Sequence, residues 1–249
     1  MSARLRLAGL VAALGSAAAM AQAPALRLEA QAERVARLHA QIGQNVLVER
    51  SRRGLADALA TFERELGAAR ARAPGHEARD NFLLLALLWK DYRAWASKPP
   101  SPDHAARLAE RVEELAWIAA KGARMMHGGD AAEPALAAAS AASASQRLAR
   151  LLMLRRWGLR PESSAGAIAL ASAELGHTLA KLRESRHATP AILTELQVAE
   201  GQLAFLLQAA REVQAGAASA RPLEYLAKAS DHLLESMERV ARLYAQLSP

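Results

Sequence analysis

Apolar residues recur along this chain at intervals of three and four, the spacing of one face of an α-helix. One stretch carries Leu55, Leu59, Phe62 and Leu66, and another Ile168, Leu175, Leu179 and Leu182, with Ser172 on the same face. A third carries Ile192, Leu196, Ala199, Leu203, Leu206 and Ala210. The last runs through Leu223, Leu226, Leu233, Met237, Val240, Tyr244 and Leu247, interrupted only by Ser230. Stripes this narrow predict long helices packed antiparallel in bundles. Gly and Pro punctuation at 43–50, 73–75, 97–102, 127–134, 158–163, 186–190 and 216–222 cuts the chain after its first segment into about eight helical stretches. Ser101-Pro102 and Thr189-Pro190 each set a capping hydroxyl before a proline at the first helical position.

Composition sharpens that picture. Of 249 residues, 62 are Ala and 39 Leu, both strong helix formers, whereas Gly (14), Pro (10) and aromatic residues (4%) are sparse. A β-sandwich or barrel is excluded, as is any disulfide scaffold or Cys-ligated metal or cluster, because there is no Cys. An apolar content of 52% is enough to bury a sizeable core and argues against disorder. The expected fold is all-α: an antiparallel helical bundle with two four-helix-bundle-like halves after an N-terminal signal peptide.

The signal peptide is read from residues 1–23. Arg4 and Arg6 form a positive n-region, residues 7–14 an apolar h-region, and 15–23 a small-residue c-region. Pro24 disfavours cleavage directly before it, so residues 1–21 are expected to be removed, leaving Gln22 first. The apolar run is shorter than the ~20 residues that span a bilayer. A periplasmic location follows as the expectation. It also bears on the formal charge of +7, because nucleic acid is rarely a partner outside the cytoplasm and the Arg residues are scattered. Small anions or anionic envelope components are the better-matched partners.

The two halves are expected at 25–128 and 131–248. Glu33-Arg34-Val35-Ala36-Arg37-Leu38 corresponds to Gln146-Arg147-Leu148-Ala149-Arg150-Leu151, so that Arg34 and Arg147 lie 113 positions apart. A third copy, Glu238-Arg239-Val240-Ala241-Arg242-Leu243, lies in the final helix.

Ser145-Gln146-Arg147-Leu148-Ala149-Arg150-Leu151 resembles the start of the N-terminal sensor domain of PilJ, the type IV pili methyl-accepting transducer, a domain related to the periplasmic four-helix sensor of NarX-type nitrate/nitrite kinases. Residues 32–38 look like a degenerate copy, and 237–244 like the close of such a domain. The resemblance implies a non-catalytic exported sensor that binds a small, anionic ligand or relays a signal to a membrane-bound signalling or pilus protein, with a homodimer as a further expectation. It implies ligand contacts from Ser145, Gln146, Arg147 and Arg34. The family's second anion-holding Arg, five residues before the motif arginine, is replaced by Glu29 and Ala142. The alternative function is a structural or adaptor helical protein of the envelope or pilus machinery without ligand binding.

Arg147 flanks the stripe of Ala144, Leu148 and Leu151, where a guanidinium can hold a planar anion by paired hydrogen bonds or lie along the surface in a salt bridge. Arg34 has the same geometry with Glu33 beside it to neutralise it. Trp89, Tyr92 and Trp95 are expected in an aromatic core rather than a cage, and Trp117 and Trp157 likewise. Glu174…His177 and Glu184…His187 carry the Glu-x-x-His spacing of di-iron bundles, but both fall in one helix and its end, so no metal is expected. No nucleophile motif or phosphate loop is present, and each carboxylate has a basic neighbour at helical spacing. No catalytic residue, no cofactor and no enzymatic activity are expected.

Overall fold

The structure is a computed structural model, and it describes residues 24–127, 132–159, 164–216 and 219–247. Among these there are eight α-helices and no strand: α1 (24–43), α2 (Val48–Arg72), α3 (Gly75–Ala96), α4 (Pro102–Met126), α5 (Ala132–Arg156), α6 (Ser164–Arg183), α7 (Pro190–Gln214) and α8 (Arg221–Ala245). The signal-peptide segment lies outside the described residues, as do 128–131 between the expected halves. No helix among the described residues is long and apolar enough to cross a membrane.

Local signals place the boundaries. Ser101 Oγ accepts from the His104 amide and Thr189 Oγ1 from the Ile192 amide, each ahead of a proline that opens its helix. Gly158 and Gly216 follow α5 and α7 with positive φ (79° and 77°), the left-handed turn that closes a helix. The α1–α2 connection is tighter: Val46 donates to the Gln41 carbonyl, and Asn45 and Leu47 adopt φ of 58° and 47°. A left-handed leucine costs about 1 kcal/mol, offset here as Leu47 packs, partly buried, against the core.

The apolar stripes go where their periodicity aims them. All six stripe residues of α7 are buried, and so are Ile168, Leu175, Leu179 and Leu182 of α6. Leu55 and Leu59 are only partly buried, and Leu247 is exposed. In the later part of the chain α5 packs on α6 and α8, and α7 on α6 and α8, which closes a four-helix arrangement. In the earlier part α3 packs on α2 and α4, and the Tyr92 hydroxyl ties α3 to the Ala32 carbonyl of α1.

Buried positions recur at a fixed offset in each helix pair. Ala78, Phe82, Leu85, Trp89, Tyr92 and Ala96 of α3 stand 114 positions before Ile192, Leu196, Ala199, Leu203, Leu206 and Ala210 of α7. Ala105, Leu108, Val112, Leu115 and Ala119 of α4 stand 118 before Leu223, Leu226, Ser230, Leu233 and Met237 of α8, all buried. Ala58, Phe62, Leu66 and Ala69 of α2 stand 113 before Ala171, Leu175, Leu179 and Leu182. The same interval of 113 carries Val35, Ala36 and Arg37 of α1 onto Leu148, Ala149 and Arg150 of α5.

Close helix approach depends on two glycines. A Cβ on Gly43 would lie 2.1 Å from the Trp157 ring, where the end of α1 meets the end of α5. A Cβ on Gly122 would lie 2.7 Å from both Asn81 Nδ2 and Phe82 Cε1. Asn81 is held there because its amide donates to the Ile118 carbonyl. Gly122→Ala is therefore expected to push α3 from α4 and lower stability by about 1–3 kcal/mol, measured by urea unfolding.

Candidate functional site

The centre of the molecule is polar. Helices α1 and α5 lie side by side and bury two arginines, Arg37 and Arg150, with essentially no exposed surface. Each is three residues after the arginine singled out by the sequence motif. Arg37 Nε donates to Gln146 Oε1 on α5 (2.8 Å), Nη1 donates to Gln41, and Nη2 reaches Asp231 on α8 (2.5 Å). Arg150 Nε donates to Glu33 Oε2 on α1 (2.6 Å), and its Nη2 to Glu113 on α4 (2.7 Å).

These contacts are reciprocal. The interval of 113 relates Arg37 to Arg150 and Glu33 to Gln146, while the α4-to-α8 interval of 118 relates Glu113 to Asp231. Each arginine thus reaches across the seam to the position that corresponds to its own helical neighbour in the other helix. Each also takes an acid from a second helix: Asp231 of α8 for Arg37, and Glu113 of α4 for Arg150. Gln146 completes the join by donating to the Ser230 carbonyl (2.8 Å) and to Ser145 Oγ (3.2 Å).

Charge is unevenly compensated along the seam. Burial works against ionisation of Arg150, but Glu33 and Glu113 together outweigh it and its pKa is raised. At Arg37 burial prevails over the attraction of Asp231, helped by the neighbouring charges of Arg34 and Arg50, and its pKa is lowered. Burial also raises Glu33 against the pull of Arg150. The net stabilisation by a buried ion pair of this kind is small, because the cost of desolvating both charges offsets much of their attraction.

Ser145, Gln146, Arg147 and Arg34 do not converge on one pocket. Ser145 and Gln146 are fully buried, with Ser145 Oγ donating to the Ala142 carbonyl, and both belong to the seam. Arg147 turns away from the seam toward α6, where it meets Glu174 at 2.5 Å and remains about a third exposed. Arg34 pairs with Asp57 of α2 at 3.0 Å and comes within 3.9 Å of Asp231. The expected neutralisation of Arg34 by Glu33 does not occur, because Glu33 is taken by Arg150.

Arg147 does line a cleft. Glu29 of α1, Ser140, Ala141, Ala144 and Arg147 of α5, and Glu174 and Thr178 of α6 enclose about 330 Å³. A second cleft of about 410 Å³ adjoins it, sharing Glu29 and Ser140 and otherwise lined mainly by Ala and Leu side chains, with Arg124 and Glu133 at its edge. Glu29 is half-buried between the two. Burial pushes its carboxyl up to about 7, against a hydrogen bond from Ser143 and the charges of Arg147 and Arg124. The expectation that every carboxylate is neutralised by a basic neighbour fails here, because desolvation outweighs the arginines.

His39 is another buried titratable group: it has no exposed surface, touches the Lys98 carbonyl through Nε2 (3.2 Å), and burial lowers its pKa to about 4. Among the aromatics, Trp89 stacks on Phe62 at 3.8 Å and Tyr92 is buried, as the core reading has it. Trp95 is half-buried under the Lys98 ammonium, 3.3 Å from its ring. Trp117 does not follow that reading: at 60% exposure it lies outside the core, because the helical turn sets it opposite the buried line of Leu108, Val112, Leu115 and Ala119. Among the described residues no group of three or more His, Asp or Glu has the geometry of a metal site.

No family model, no curated protein and no solved structure matches this chain.

Proposed function

We propose that this is a non-catalytic, sensor-like protein built from two related four-helix halves, exported through its N-terminal segment to the periplasm. In this reading the halves, 25–128 and 131–248, derive from a duplicated bundle of the PilJ/NarX sensor type. A small ligand held at a cleft beside α1 and α5 sets their relation, which passes to a membrane-bound signalling or pilus partner. The observation that carries the reading is the reciprocal pair of arginine contacts, Arg37 to Gln146 and Asp231, and Arg150 to Glu33 and Glu113. Matching burial at constant offsets in all four helix pairs supports it independently. A polar seam suits this role because its hydrogen bonds define discrete alignments of two helices, where an all-apolar seam tolerates sliding.

A thermal-shift screen of small anions, amines and amino acids on the mature protein tests the reading. At least one compound is expected to raise Tm in a saturable way; no response across the screen defeats ligand sensing. Arg147→Ala serves as a calibration, because its partly exposed pair with Glu174 is expected to contribute only ~0–1 kcal/mol to the free protein.

The adaptor reading is favoured by a specific feature. Leu83, Leu84 and Leu87 of α3 are 49%, 43% and 63% exposed, an apolar surface that nothing among the described residues covers. Lysine at Leu87 should abolish co-purification with an envelope protein if that surface docks one, and leave ligand-induced Tm shifts unchanged.

A further inference from the structure

We propose that the cleft between α1, α5 and α6 binds the ammonium group of a small alkylamine, with the ionised carboxylate of Glu29 as its counter-ion. The proposal deepens the ligand-sensing reading and rests on it, but it departs from that reading's anionic expectation.

The charge inventory of the cleft carries the argument. Its walls hold two carboxylates, Glu29 and Glu174, and one guanidinium, Arg147. Glu174 already occupies Arg147 at 2.5 Å, so an entering anion must displace a carboxylate and meet a second one. An entering cation displaces no ion pair: Arg147 is already matched by Glu174, and the Glu29 carboxylate is left on the wall to receive it. Ser143 satisfies part of that carboxylate, and Ser140 and Thr178 add hydroxyl acceptors at the cleft wall. The volume of about 330 Å³ suits a molecule of a few heavy atoms. The adjoining cleft, reached past Glu29 and lined by Leu26, Ala123, Leu136 and Ala137, gives an alkyl tail somewhere to go.

Glu29 is also positioned to make binding depend on pH. The charged groups around it are Glu33 on its own helix, Arg147 on α5, Arg124 on α4, Glu174 on α6, and Glu133 at the start of α5. Burial holds the carboxyl half-protonated near neutrality, and only the ionised form attracts an ammonium. The corresponding place in the second half is Ala142, so the site exists once in the chain.

Calorimetric titration of the full chain with butylamine, leucine and butyrate at pH 6 and pH 8 tests the proposal. Butylamine is expected to bind and butyrate not to bind, with butylamine about tenfold weaker at pH 6 than at pH 8. Leucine equal to butylamine identifies the ammonium as the sole determinant; leucine binding more tightly means that Arg147 also accepts the ligand carboxylate. Glu29→Gln should remove binding at both pH values. Thr178→Lys, a change at the half-buried wall, should do the same by placing an ammonium of its own in the cleft, which covers the case of Glu29→Gln failing to fold. Butylamine binding that is absent, indifferent to pH, or retained in the variants overturns the site. If amines fail while anions in the thermal-shift screen raise Tm, the ammonium site falls and the sensor reading stands; if nothing raises Tm, both fall.

Discussion

Arg150→Ala is expected to lower the unfolding free energy by about 3–5 kcal/mol, the largest effect of any single substitution in the central seam. Among the described residues the guanidinium is the one partner of the buried Glu33 carboxylate, at 2.6 Å, and it also draws in the exposed Glu113 from α4. Removing it leaves Glu33 buried and uncompensated, so the loss is mostly the desolvation of an orphaned charge rather than the value of the pair. Glu33→Leu combined with Arg150→Met should therefore recover most of the stability, because both charges leave together. Urea unfolding at pH 7 reads all three variants. A cost for Arg150→Ala as small as that expected for Arg147→Ala would mean that the seam is hydrated.

The second large effect is a pair of opposing pH dependences. The Glu29 carboxyl is raised from 4.5 to about 7 in the folded protein. Its contribution to stability is thus fully present below pH 4.5 and is lost as pH rises through 7. His39 is lowered from 6.5 to about 4, so its contribution is present above pH 6.5 and is lost as pH falls toward 4. Between pH 4.5 and 6.5 these two contributions oppose each other. Glu29→Gln should lift stability at pH 8 relative to pH 5 by about 1–3 kcal/mol compared with wild type, allowing for its partial exposure. His39→Gln should remove the loss on the acid side, worth up to about 3 kcal/mol. The slope with pH carries the test, so a uniform cost of substituting a buried side chain does not disturb it. Parallel profiles for variants and wild type would contradict both assignments.

The helices and their inward faces were legible in the sequence because apolar side chains at helical spacing have only one good place to go. The six buried residues of α7 illustrate this, as do the Ser101 and Thr189 caps, whose chemistry is local. The seam arginines were not legible. The motif carries two arginines three residues apart, and helical spacing leaves both near the same face. Which one turns inward depends on acids supplied from α4 and α8, 37 residues from Arg150 and 194 from Arg37, and no spacing within the motif encodes that. Arg37 and Arg150 were written in the same six-residue repeats as Arg34 and Arg147, and the interval of 113 was the signal that could have found them.

Glu29 escaped for a related reason. At sequence level it has arginines within one or two turns, whereas in the fold its half-burial between α4, α5 and α6 governs its chemistry. Trp117 misled in the opposite direction, since an aromatic in a helix is a fair core candidate until its phase against the buried line of Leu108, Val112, Leu115 and Ala119 is counted.

A seam of reciprocal contacts makes both arms of the exchange energetically coupled. Double-mutant cycles measured by urea unfolding, one on Arg150 with Glu33 and one on Arg37 with Gln146, address this directly. Coupling of about 2–3 kcal/mol is expected for the charged pair and about 1 kcal/mol for the charge–amide pair. Coupling confined to one pair, or near zero in both, would contradict the proposal of two related halves joined through α1 and α5.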